Sequence, residues 1–499
     1  MPADLVSDRQ AATMDAASPD DPALVDPVIR RADARFLLPY PVTRAHVLGA
    51  DTGWTEALAV AGIEVTAAPE LADLVVASGA TQREAMATNV AALLLEGRCQ
   101  VRPLRRAGYE VAQCLVLPDV MHPELVLSVT ARRASRYAVR RRVAGAGGAR
   151  RALVGLVARA VARAPSTLRP SSLLTIATRA PSRPYVLQEA RRLGLVDAAS
   201  WYLLLGSSRE LAERRLAFVM FRPGRSHPSW VVKVARVPGL EDSFARDERG
   251  VRALATAAPE LAHRAAHILG QASAGGLPFS VETAAVGDRL TEVLKQRGAA
   301  GRPLVGAIAS WLVDLGVQTR RAANPTVDDQ WLREVLGGWD GGPHVAAAVK
   351  AALRQVPAVL THGDLGTWNV VAHGREFTVI DWESAQPIGR PLTDLLHLLG
   401  DACAQMAGRA SRRERAGYLV SLFRGDEALS SFAFKWVRRA VYSLDLPTAS
   451  VGPLATLTWL ERADLAGAAT GADGSSPAVD LARRWLEDPA LGIGWRAWA

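Results

Sequence analysis

"LTHGDLGTWNVV" (residues 360–371) sets an imidazole, a carboxylate and an amide, those of His362, Asp364 and Asn369, between two apolar flanks. A plain buried strand would have no use for them. Asp364 and Asn369 stand five residues apart on a short loop and can converge on one point. Twelve positions beyond Asn369, "FTVIDWESA" (377–385) ends an apolar strand, 377–380, on Asp381. A carboxylate straight after a buried strand, beside an amide from a neighbouring loop, makes an all-oxygen site. Mg²⁺ takes such a site when water and phosphate complete its shell. Asp364 is then left to accept a proton from an attacking hydroxyl.

The rest of a phosphoryl-transfer site should lie upstream. "SWVVKVARV" (229–237) is an apolar strand interrupted by Lys233, one of four lysines in a chain with 55 arginines. A compact ammonium at this one place suits a point charge on α- and β-phosphates. Further on, "DSFARDERGVRALA" (242–255) reads as a helix that puts Phe244, Glu248 and Val251 on one face, with Leu254 and Ala255 beside them. Glu248 therefore points along the apolar stripe and is expected to pair with Lys233. Asp247 is expected to turn away. "LLLGSSREL" (203–211) places Gly206, Ser207 and Ser208 between two strands, where small residues let backbone N–H groups approach phosphate.

"HGDLGTWN" followed by "VIDWE" resembles the aminoglycoside phosphotransferase and choline kinase family, and the resemblance covers about residues 186–480. "FSVETAAVGDRLTEVL" (279–294) is similar to that family's inter-lobe hinge. The resemblance implies a two-lobed, kinase-like α+β fold: a small antiparallel lobe over 186–282 and a helical lobe over 283–499. It implies Asp364 as catalytic base, Asn369 and Asp381 as Mg²⁺ ligands, Lys233 as the phosphate-binding lysine and Glu248 as its partner. His362 would support the loop, and the backbone near Glu282 and Thr283 would meet the purine of ATP or GTP. Protein kinases usually carry arginine where this chain has Gly363, so a small-molecule kinase is implied. Asp394 opens a helix in "PLTDLLHLL" and is read as its cap. Trp382 is read as core, His373 and His397 as ordinary, and Glu383 stays open between a supporting group and a loop salt bridge.

The remaining sequence sets the context. At 499 residues the chain exceeds one ordinary core. Residues 1–30 are acidic and read as a disordered tail. They lack a signal peptide's basic start and apolar run, and no apolar stretch is long enough to span a bilayer. Three widely spaced cysteines, Cys99, Cys114 and Cys403, suggest neither a disulfide framework nor a zinc site, and a cytoplasmic location is expected. Between 31 and 185, strand-like and helix-like runs alternate, so an α/β layered, Rossmann-like domain with a mostly parallel sheet is expected. Its "LRRAGYEV" turn (104–111) weakly resembles S-adenosylmethionine-dependent methyltransferase-like domains. The turn "GADTGW" departs from the glycine pattern a cofactor would need, which makes a degenerate scaffold the expectation.

The net charge of +9 is local: thirteen arginines and no acidic residue fall between 125 and 188. "RALVGLVARAVARAP" (151–165) would form an amphipathic helix, either a solvated surface or a dock for an anionic membrane or acidic partner. No aromatic interleaving points to nucleic acid. In "DDQWLREVLGGWDGG" (328–342), Asp328, Asp329, Glu334 and Asp340 either meet a cationic acceptor or form a solvated face. The function expected is transfer of the γ-phosphoryl group to a hydroxyl of an amino sugar, sugar or amino alcohol. The alternatives are a membrane-docked protein of surface-glycan or lipid-linked sugar biosynthesis and a non-catalytic nucleotide- or metabolite-binding module.

Overall fold

The computed structural model describes residues 30–470, apart from 50–51, 121, 144–171, 182, 198–199, 206–214, 323, 337–341 and 410–411. Gly206, Ser207, Ser208 and the 151–165 segment lie outside the described residues, as do the acidic tail and Asp340.

Among the described residues twelve strands form one sheet, in the spatial order Ile268–Ala274, Leu277–Thr283, Trp230–Ala235, Arg215–Phe221, Ser200–Leu204, Leu125–Ser128, Glu110–Leu117, Leu173–Thr178, Ala92–Glu96, Leu74–Ser78, Arg44–Leu48 and Glu64–Val65. At one end β1 (Arg44–Leu48), β2 (Glu64–Val65), β3 (Leu74–Ser78) and β4 (Ala92–Glu96) run parallel. Short helices join them, as a parallel connection requires. From there the sheet is antiparallel. β7 (Leu173–Thr178) enters between β4 and β5 (Glu110–Leu117), and β5 turns back directly into β6 (Leu125–Ser128). Only half of the expected mostly parallel sheet therefore exists. The connection between β5 and β6 is too short for a crossover helix, so the two must run in opposite directions.

The sheet does not stop where the texture of the sequence changes. β6 pairs with β8 (Ser200–Leu204), which leads into β9 (Arg215–Phe221), β10 (Trp230–Ala235), β11 (Ile268–Ala274) and β12 (Leu277–Thr283). These last five strands are the small antiparallel lobe. One apolar core runs through both parts, joining Phe36, Leu94 and Leu174 to Phe218, Val232 and Phe279. Where the 3₁₀ helix Asp33–Leu37 meets the small lobe, a charged group is buried. Asp33 accepts from Arg236 at 2.8 Å, Arg236 also donates to the Leu205 carbonyl, and Arg35 donates to the Arg236 carbonyl.

The second lobe is helical and shares a single core. At its centre lies α1 (Thr393–Met406), in which thirteen of fourteen residues are buried. A helix buried on nearly every side belongs inside a bundle. Gly400 lets it approach its neighbours, because a Cβ there would stand 2.8 Å from Leu419 and 3.3 Å from Trp459. Trp459 belongs to α2 (Val451–Thr470), the last described helix. Between the lobes, the strand Val359–Thr361 and the hairpin of Val370–His373 and Glu376–Val379 bracket the 362–369 loop.

Candidate functional site

The 362–369 loop owes its shape to residues around it. Gly363 has φ +82°, and a Cβ there would come within 2.2 Å of the Ser384 carbonyl oxygen, so only glycine fits. Asp394 is buried and takes the backbone N–H of His362 at 2.6 Å and of Gly363 at 3.0 Å. Its side chain makes no cap to its own helix. The cap reading of Asp394 is thus replaced by that of a loop clamp. Burial pushes its carboxyl up, against the pull of His362 and Arg462.

His362 is fully buried. Its Nε2 lies 3.0 Å from the Ile380 carbonyl and its Nδ1 3.3 Å from the backbone N–H of Asp364. With these partners Nε2 carries the hydrogen and Nδ1 accepts, so the ring staples the loop to the strand before Asp381. Thr367 is tied to Asp401 through both its backbone N–H, at 2.9 Å, and its hydroxyl.

Asp364 stands on this frame with a third of its side chain open. Asn369 Nδ2 donates to Asp364 Oδ2 at 3.0 Å and to the Asp364 carbonyl at 2.8 Å, which leaves the Asn369 amide oxygen as its acceptor. Trp368 Nε1 lies 3.4 Å from the same Oδ2. Asp364 Oδ1 accepts from Arg462 Nη1 at 2.5 Å, and Arg462 Nη2 donates to the Gly363 carbonyl at 3.0 Å.

Asp381 follows the strand Glu376–Val379 with φ +70°, and Ile380 N–H donates to the Asn369 carbonyl at 2.9 Å. Loop and strand end are therefore adjacent. Lys233, on β10, lies 3.6 Å from Asp381, 3.1 Å from Asp247 and 3.2 Å from Glu282. Burial opposes its charge, but Glu282, Asp247 and Asp381 outweigh burial and hold the ammonium above its ordinary range. Burial also pushes the Asp381 carboxyl up, yet Lys233 and Arg215 hold it below the usual carboxylate range. Glu282 goes the other way: burial raises it to about 7 despite Lys233.

The expected Lys233–Glu248 pair does not form. Asp247 is the buried partner, and its other oxygen accepts from Trp382 N–H at 2.9 Å. Glu248 is more than a third exposed and pairs with Arg252 one turn on. The buried face of this helix (Glu241–Ala257) runs through Phe244, Asp247, Gly250 and Leu254. Gly250 decides it: a Cβ there would lie 2.4 Å from the Trp382 carbonyl oxygen, so the glycine is the point of closest approach. A stripe built from apolar side chains alone passes over such a position.

Two further side chains, Arg215 and Ser243, join the cluster without a sequence signal. Arg215 reaches Glu383 at 2.9 Å and Asp247 at 3.7 Å while stacking on Phe244, and Ser243 donates to Glu383 at 2.8 Å. Glu383 is therefore a salt-bridge partner. Glu282 enters through its carboxylate, whereas its expected place was in the hinge backbone. Thr283 N–H is used by the His267 carbonyl at 2.9 Å, so that hydrogen bond stays within the sheet. In the helical lobe, Asp328 caps the helix Asp329–Leu336 at Gln330 and Trp331, Asp329 pairs with Lys350 at 2.8 Å, and Glu334 accepts from Gln330. These acids have structural partners.

Among the described residues no group of three or more His, Cys, Asp and Glu side chains forms a self-sufficient metal site, and no helix is long and apolar enough to cross a membrane. A helix upstream, Arg132–Val143, packs Ala134, Ala138 and Val139 against the sheet, and its Tyr137 hydroxyl lies 3.4 Å from the Gly287 carbonyl between the lobes.

Residues 148–434 match the sequence model of the phosphotransferase enzyme family, APH. The chain belongs to this family. It is a small-molecule phosphotransferase with a kinase-like fold. No curated protein matches the chain. Among solved structures it is similar to a thermostable mutant of aminoglycoside phosphotransferase APH(4)-Ia in ternary complex with ADP and hygromycin B, with 15% identity and TM-score 0.35 over 60% of this chain and 97% of that one. It is also similar to ADP-bound aminoglycoside phosphotransferase APH(2'')-Ib, with 14% identity and TM-score 0.36 over 60% and 96%. A third is APH(3'')-Id from Streptomyces rimosus, with 16% identity and TM-score 0.29 over 52% and 98%. Membership of the phosphotransferase family rests on the sequence match. The likeness to the solved structures is too slight to add to it.

Proposed function

We propose that the chain transfers the γ-phosphoryl group of ATP or GTP to a hydroxyl of a small polar acceptor, with Asp364 as general base. The observation that carries this reading is the open, three-donor carboxylate of Asp364 beside a cluster of Lys233, the buried Asp247 and the partly exposed Asp381. Asp364 would accept the hydroxyl proton as the bond to phosphorus forms, and the nucleoside diphosphate would leave. Lys233 would meet α- and β-phosphates, drawn from its three carboxylates toward the nucleotide. Asp247, in the place expected for Glu248, would hold it there.

The residues present suit Mg²⁺. The Asn369 amide oxygen and the Asp381 carboxylate, held ionised, offer two hard oxygen donors, as a site completed by phosphate and water needs. Bound there, the ion would neutralise charge on the transferring phosphates. The acceptor class follows the family resemblance to amino sugars, sugars and amino alcohols. The partnered state of Asp328, Asp329 and Glu334 removes one argument for a cationic one.

The test is nucleotide turnover by the wild type, Asp364→Asn and Asp381→Ala against aminoglycosides, amino alcohols and sugars, with ³¹P detection of product. Acceptor-dependent transfer that disappears in both variants is the expected result. Wild-type rates in Asp364→Asn would remove the base from Asp364. Nucleotide binding with transfer to nothing would favour a binding module.

A further inference from the structure

We propose that Arg462 is a positioning residue for Asp364, so that the active site is completed by α2, the last described helix. This rests on Asp364 being the base. Arg462 lies 98 residues from Asp364 in sequence and beyond the 148–434 segment that the family model matches.

The contact has two prongs. One guanidinium nitrogen holds Asp364 Oδ1 and the other holds the carbonyl of Gly363, the residue whose left-handed turn presents Asp364. A planar fork spanning a carboxylate and the preceding carbonyl fixes their relative orientation, which a lysine cannot do. An ionised carboxylate offers about four lone-pair directions. Trp368 and Asn369 engage Oδ2 and Arg462 engages Oδ1, so the group cannot rotate, and one direction on Oδ1 stays open.

The helix that carries Arg462 is itself anchored. Its neighbour Glu461 binds Arg390, four residues before the loop clamp Asp394, and Trp459 packs against α1 at Gly400. The loop is thereby gripped from both sides, by Asp394 on its backbone N–H groups and by Arg462 on its carbonyl and carboxylate. Arg462 itself is largely buried, with 14% of its side chain exposed. A surface arginine meeting a carboxylate by chance would be neither buried nor two-pronged.

The experiment compares full-length wild type, Arg462→Ala, Arg462→Lys and Asp364→Asn with MgATP and the acceptor from the panel, or with water as acceptor and phosphate release as signal. Arg462→Ala should lose about 100-fold in kcat while KM for MgATP stays within about twofold, because it displaces the base and leaves the nucleotide site intact. Millimolar guanidinium should restore about tenfold of that loss by refilling the fork, and Arg462→Lys should fall between. A merely structural arginine would give no guanidinium response. Should Arg462→Ala fail to fold, the lysine variant carries the test through its kcat-only defect. Wild-type turnover in both Arg462 variants, with Asp364→Asn inactive, overturns the inference and leaves the base in place. Faster turnover in Arg462→Ala also overturns it, since the contact would then restrain the site. An active Asp364→Asn brings down the base reading, and this inference with it.

Discussion

Asp247 and Glu248 are adjacent carboxylates on one helix with opposite fates. Asp247 is buried against Lys233, Arg215 and the Trp382 backbone, while Glu248 sits in solvent beside Arg252. Asp247→Asn should therefore destabilise the fold by about 3 kcal/mol, since it breaks a buried charge pair. Glu248→Gln should stay within about 0.5 kcal/mol. Urea midpoints of the two variants decide it, and equal midpoints would refute the assignment. Glu282 makes a pH prediction. Its carboxyl is raised from 4.5 in the open chain to about 7 in the fold. The stability linked to it is therefore whole below about pH 4.5 and is lost as pH rises through 7. Thermal midpoints of Glu282→Gln should lack this fall, and an identical pH profile in variant and wild type would contradict it. The three residues to which we assign the chemistry, Asp364, Asn369 and Asp381, stood out because motif residues crowd one short stretch. Arg462 and Arg215 were not. Each reaches the site across a long interval, and no local pattern marks an arginine in a chain with 55 of them.

At the scale of elements, glycine is the residue that periodicity misreads. The helix Glu241–Ala257 was legible as a helix, but its buried face turned on Gly250, which contributes nothing apolar and everything to closeness. Adding one methyl there should push the helix from Trp382. Gly250→Ala should cost about 1–3 kcal/mol, as overpacking does. It should also raise KM for MgATP, because Asp247 on the same helix holds Lys233. A variant as stable as wild type with unchanged KM would show that the helix gives way freely. That β1, β2 and β3 run parallel followed from the alternation of strand-like and helix-like runs. The insertion of β7 between β4 and β5 did not, because strand partners distant in sequence leave no mark on either strand.

For the molecule as a whole, the two halves share a sheet and a core, and Asp33 and Arg236 bury a charge pair where they meet. A chain begun at residue 148, where the family match starts, would keep β8 but lose its partner β6. We expect such a chain to aggregate, since an open, apolar strand edge pairs with copies of itself. The full chain should melt in one transition seen alike by calorimetry and circular dichroism. Two separated transitions, or a soluble monomer from residue 148, would mean that the shared core is dispensable. The kinase-like half could be read from its motifs, whereas the fusion could not, because the texture changes near residue 186 although the hydrogen bonding does not.

The fused sheet also orders events in time. A ribosome releases β6 well before β8, so the edge that receives β8 is already made when the small lobe begins to emerge. The upstream region then acts during synthesis as a template laid down in advance. The catalytic half never has to hold an unpaired β8 edge while the helices of its second lobe are still inside the exit tunnel.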